Sequence, residues 1–140
     1  MGAVDDIWEH AQNTRMWLQT GHDAAGRAGS LSAGSFLLSY FTRGGSRRSA
    51  AADIFDAIGK LRLAYLDLEH ALHRAGHAPL PLRTLEMERT TPELAGSHKR
   101  LSKPVMDALS AAFAADLGAI DNLIAETEAL QRQARTPQSR

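Results

Sequence analysis

The residues of this chain with the most evident capacity for chemistry lie near its middle. Asp67, His70, His73 and His77 follow one another at spacings of three, three and four, so on a helix they project from one side. Imidazole and carboxylate groups at i,i+3 and i,i+4 can converge on one ion, and such a set can hold a metal ion or a haem. Two features oppose that reading. The group lies off the apolar stripe of its helix, and His77 follows Gly76, a residue type that ends helices. Histidines near a helix C-terminus also have a plainer role, offsetting the dipole and bonding the last carbonyls.

A second constellation is basic. Arg43, Arg47 and Arg48 stand among Gly44, Gly45 and Ser46 just ahead of a helix, where loop amides, the helix dipole and guanidinium groups can together hold an anion. The spacing is not that of a P-loop, because no Gly-Lys-Ser/Thr follows. His98, Lys99, Arg100 and Lys103 form another basic cluster before a second long helix. If the two long helices run parallel, the clusters meet at one end. No aromatic residues interleave these cations, as a single-strand nucleic-acid platform needs, so nucleic acid is not an expected partner.

Catalytic constellations are absent from the sequence. The chain has no Cys and no G-x-S-x-G, and the adjacent Asp5 and Asp6 read as first-turn charges that favour a helix dipole. The aromatic residues suggest contact instead. Trp8 and Trp17 are nine positions apart, on opposite flanks of one helix at about 100° per residue. Trp8, Trp17, Phe36, Tyr40 and Phe41 are the candidate interface anchors, since aromatic side chains often carry binding energy.

These residues need elements to position them. Val4, Ile7, Ala11, Thr14 and Leu18 share one face of a helix over 4–20, which Gly21 is expected to stop. Residues 21–35 read as a Gly/Ala/Ser-rich connector. A short apolar helix is expected over 30–42. Ser49 caps a long helix over 50–76, with Ile54, Ile58, Leu61, Tyr65, Leu68 and Leu72 at heptad-like spacing and Asp56 and Lys60 paired on its wet side. Gly76 is its C′ residue, and Pro79 and Pro81 prevent continuation. Residues 77–101 form a crossover or a functional loop, with a short turn opening at Pro92. Ser102 caps a last helix over 102–135, whose apolar face runs through Met106, Leu109, Phe113, Leu117, Ile120, Ile124 and Thr127 while Asp107, Asp116 and Asp121 lie mostly outside it.

Composition agrees with helix. The 140 residues include 24 Ala and 18 Leu but only 2 Val and 5 Ile. Sixteen basic and sixteen acidic side chains balance to a net charge of zero, which argues against a protein that coats nucleic acid. The absence of Cys excludes disulfides, thiolate–zinc sites and iron–sulfur clusters. No apolar run approaches the roughly 20 residues of a membrane span, and the acidic start is unlike a signal peptide. The expectation is one all-α domain over 1–135, a bundle of about four helices, with a polar tail at 136–140. The expected function is a cytoplasmic, non-enzymatic helical binding protein, an adaptor, inhibitor or regulatory subunit, acting on a protein partner and forming a homodimer without a cofactor. The alternatives are a metal- or haem-binding bundle built on the histidines and an anion or phosphate sensor built on the basic helix starts.

Overall fold

The structure is a computed structural model that describes residues 2–29, 46–95 and 101–135. The described residues form five helices and no strand: α1 (Ala3–Gly29), α2 (Ser46–Arg74), α3 (Arg83–Thr90), α4 (Pro92–Ala95) and α5 (Lys103–Arg135). This is an all-α small helical bundle.

α1 is the hub, packing against both α2 and α5. Three contacts fix its direction relative to α5. Gln131 donates to Asp5 at 2.8 Å, the Trp8 indole N–H to Glu128 at 3.1 Å, and Arg15 to Asp121 at 2.6 Å. Residue numbers rise along one helix as they fall along the other, so the pair is antiparallel. Arg74 reaching Asp6 and Lys60 standing over Trp17 show the same for α1 and α2. The two long helices α2 and α5 are therefore parallel, and the chain must cross from the end of one to the start of the other.

The crossover supplies the fourth wall. His77 meets Glu126, Arg83 and Thr84 meet Asp116, and Glu93 meets Ser102, so residues 77–95 run down α5 against its direction. The same segment touches α2 where Tyr65 donates to the Leu80 carbonyl at 2.7 Å and Arg62 to Glu88 at 2.6 Å. Leu82, Thr84, Leu94 and Leu101 are buried from this segment and close the core beneath it. A bundle needs every apolar stripe covered, and here a broken connection with two short helices covers what a fourth long helix would.

The core follows the predicted stripes. Ile7, Ala11, Thr14 and Leu18 of α1, Ile54, Ile58, Leu61, Leu68 and Leu72 of α2, and Met106, Leu109, Phe113, Ile120, Ile124 and Thr127 of α5 are all buried. The α2 terminus is also as expected. Gly76 adopts φ +70°, its N–H donates to His73 O at 3.0 Å, and the His77 N–H donates to Leu72 O at 2.9 Å, a Schellman ending. Ser102 accepts the Val105 N–H at the start of α5 and is itself held by both carboxylate oxygens of Glu93.

Several boundaries differ from expectation. α1 continues through Gly21 to Gly29, so residues 21–29 are helix and not connector. Gly21 is buried in mid-helix because the Phe113 ring of α5 lies where a Cβ would sit, 2.3 Å from the nearest ring carbon. The glycine thus serves close approach rather than termination. α2 starts at Ser46, so Ser49 lies inside the helix and is not its cap. Asp116, expected outside the apolar face, is only 2% exposed. Lys60 stands over the Trp17 ring, 5.4 Å from its centre, in place of an ion pair with Asp56. The short helix expected over 30–42 lies outside the described residues. α5 is long and apolar enough, by length and composition, to cross a membrane, because its many alanines raise its mean hydropathy. In this fold its apolar face packs on α1 and α3.

Candidate functional site

The predicted metal group does not come together. Asp67, His70 and His73 are exposed on the outer side of α2, and the chain turns at Gly76 before His77. The His77 ring is committed elsewhere, with Nε2 3.2 Å from Glu126 of α5 and Nδ1 2.8 Å from its neighbour's carbonyl at Ala78. Among the described residues no three His, Cys, Asp or Glu side chains converge as an ion would require. The backbone turn explains the failure: the positive φ at Gly76 swings His77 away from the helix axis that the spacing argument assumed.

The basic clusters are only partly visible. Arg43, Lys99 and Arg100 lie outside the described residues, and so do the side chains of Arg47 and Arg48 in the first turn of α2. The parallel course of α2 and α5 puts the starts of these two helices, at Ser46 and Lys103, at the same end of the bundle. Lys103 pairs with Asp107 one turn on, at 2.8 Å.

Both tryptophans close seams within the chain. Trp8 packs half-buried between α1 and α5, and its N–H is taken by Glu128. With Gln131, Arg132 and Arg135 these two residues line an open groove of about 590 Å³. Trp17 does the same work on the opposite flank of α1, against α2 and under Lys60. Phe36, Tyr40 and Phe41 lie outside the described residues.

Two features escaped the sequence reading. The first is a buried polar knot where the crossover meets α2 and α5. The carboxylate of Asp116 accepts the N–H groups of Arg83 and Thr84, both at 2.8 Å, and so caps α3 from another helix. Leu82, the N-cap position of α3, has no side chain able to do this. Tyr65 ties α2 to the same segment, and its hydroxyl is pushed up to about 12 by burial, with the negative charges of Glu69 and Asp116 adding to the effect. Thr84 Oγ1 is buried beside the cap with no hydrogen-bond partner. Every other group in the knot is satisfied within the chain, so its role is to lock the crossover in place.

The second feature is a second apolar strip on α2. Gly59, Leu63, Leu66 and His70 recur at four, three and four, which places them on one face, nearly opposite the buried stripe. Leu63 is 64% exposed and Leu66 47%, more than any other large aliphatic side chain among the described residues apart from Met16, at 49%. No described element covers them. The 4,3,4 spacing was present in the sequence, but a helix with two apolar faces reads as a wide one until its partners are known.

The chain matches no protein-family model, and comparison with curated proteins and with solved structures likewise finds no match.

Proposed function

We propose that this chain is a non-enzymatic helical binding protein that acts through protein–protein contact, and that the contact surface is the outer face of α2. The carrying observation is the exposure of Leu63 and Leu66 on a helix whose inner face already holds the core. Isolated exposed leucines are ordinary, but two neighbours on one face, bordered by charged residues, form the pattern of a contact patch. The polar knot supports the same reading, since apart from Thr84 Oγ1 its groups bond to one another within the chain and hold the crossover in place.

A photo-crosslinking residue placed at Leu66 in the host cell tests this. An intermolecular adduct is expected at Leu66 and not at Ala125, an exposed position on α5. The reading is overturned if Leu66 gives no intermolecular adduct, or gives no more than Ala125.

A further inference from the structure

The charges that flank the Leu63–Leu66 patch are arranged so that the face complements itself under a two-fold rotation. From this we infer that its occupant is a second copy of this chain, with the two α2 helices antiparallel. This rests on the contact surface proposed above and names the partner for it.

The complementarity lies in the order of charges along the helix. On the flank nearer α1, α2 presents Asp56, Lys60, Asp67 and Arg74, alternating negative and positive. On the flank nearer the crossover it presents Arg62 and Glu69. In an antiparallel helix pair like flanks meet, and the sequence of the second copy runs in reverse. Centre the two-fold axis between Leu63 and Leu66. Leu63 then faces the partner's Leu66, and Gly59, whose would-be Cβ has only the flexible end of Arg62 within 4 Å, faces the partner's His70. On the first flank Lys60 meets the partner's Asp67, and Asp56 meets the partner's Arg74. On the second flank Arg62 meets the partner's Glu69. One register satisfies the leucines and all three charge pairs, and symmetry makes each pair occur twice. A parallel pairing brings opposite flanks together, setting Lys60 beside the partner's Arg62 and Asp67 beside the partner's Glu69, so like charges oppose it.

Lys60 is exposed where it stands over the Trp17 ring, and the commitments of the two arginines leave them able to reach across. Arg62 bonds Glu88 with one arm of its guanidinium, and its side chain stays 53% exposed. Arg74 stands at a loose 3.8 Å from Asp6 and is 58% exposed. Each guanidinium has five N–H donors, enough for two carboxylates. The apolar area is small, two leucines per copy, so the dimer belongs to the weak, transient class in which charge selects the partner and its orientation.

Sedimentation equilibrium of the purified chain, from micromolar to near-millimolar concentration, reads the association directly. The average mass is expected to rise from 15.2 kDa toward twice that value. Asp67→Lys sets the new lysine against the partner's Lys60 on both sides of the axis, and should weaken association about tenfold. Adding Lys60→Asp to that variant restores opposite charges and should recover most of the loss, while far-UV circular dichroism confirms that each variant is folded. Orientation has its own readout, because the chain has no native Cys. A mixture of Gly59→Cys and His70→Cys chains should oxidise to the mixed disulfide in preference to either homodimer. Monomer mass throughout, a double variant as weak as the single, or disulfides between like positions would each overturn the inference. A Leu66 photo-adduct to a different protein, with monomeric mass in the centrifuge, would overturn the self-pairing and leave the contact surface standing. Absence of any intermolecular adduct would remove both.

Discussion

Replacing Gly21 by Ala sets two physical effects against each other, and the structure decides which wins. In a helix interior Gly→Ala gains up to about 1 kcal/mol from backbone entropy. At Gly21 the new methyl would lie 2.3 and 2.4 Å from two Phe113 ring carbons and 3.0 Å from a third, where ordinary contact begins near 3.4 Å. The ring must retreat by about 1 Å, and Phe113 is fully buried in a packed core that gives little ground. Overpacking costs about 1–3 kcal/mol, and so deep a clash with a fully buried ring belongs in the upper half of that range, about 2–3 kcal/mol, so the net change is a loss of about 1–2 kcal/mol. For a chain of this length that corresponds to a fall in Tm of roughly 3–8 °C. Gly26 is the internal control: it is exposed on the same helix with nothing within 4 Å of its would-be Cβ. Gly26→Ala should raise Tm by a few degrees, because only the entropic gain remains. Urea denaturation and thermal melts of both variants measure the difference. The coupling is checked on a Phe113→Leu background, where Gly21→Ala should lose most of its cost. If Gly21→Ala stabilises the protein as Gly26→Ala does, the ring is not seated on this glycine and the α1–α5 packing described here is wrong.

Two further outcomes test the crossover. Asp116→Asn replaces two acceptor oxygens by one and turns an amide N–H toward the α3 amides, so it should cost about 2–3 kcal/mol and expose Arg83 and Thr84 to faster hydrogen exchange, with the α1 core amides less affected. Tyr65 holds its proton more tightly in the folded state than in the unfolded chain, so its contribution is intact below pH 10 and is lost as the pH rises from 10 toward 12. Thermal melts should therefore fall across that window in the native protein, and Tyr65→Phe should flatten the fall while lowering Tm at neutral pH. An equal alkaline decline in both proteins would remove Tyr65 as its cause.

Much of the architecture was legible because it is written in local chemistry. The α2 stripe from Ile54 to Leu72 and the α5 stripe from Met106 to Thr127 declare themselves by period, and both are buried. Ser102 and Gly76 mark helix ends by mechanisms that reach only a few residues, so inspection of neighbours suffices to find them. The exposed α2 strip was legible in principle as a second, shorter run, yet nothing local says whether another element covers it. The histidine set needs one helix axis, and the turn at Gly76, already a helix-ending signal in the sequence, ends that axis before His77.

By itself, then, the sequence determined the helical class, the inner faces of the long helices and two of their ends, because propensity, periodicity and capping act between residues close in the chain. The tertiary structure decided what depends on residues far apart. Phe113, 92 positions from Gly21, turns an expected stop into a packing notch. Asp116 caps a helix that begins 33 positions away, so no local search for a cap could find it. The parallel course of α2 and α5 follows from the contacts each makes with α1, and that course makes a broken crossover the fourth wall of the core. The same packing leaves Leu63 and Leu66 uncovered by any described element. Period along a helix names its core face, but whether a second face is covered depends on the whole assembly of helices.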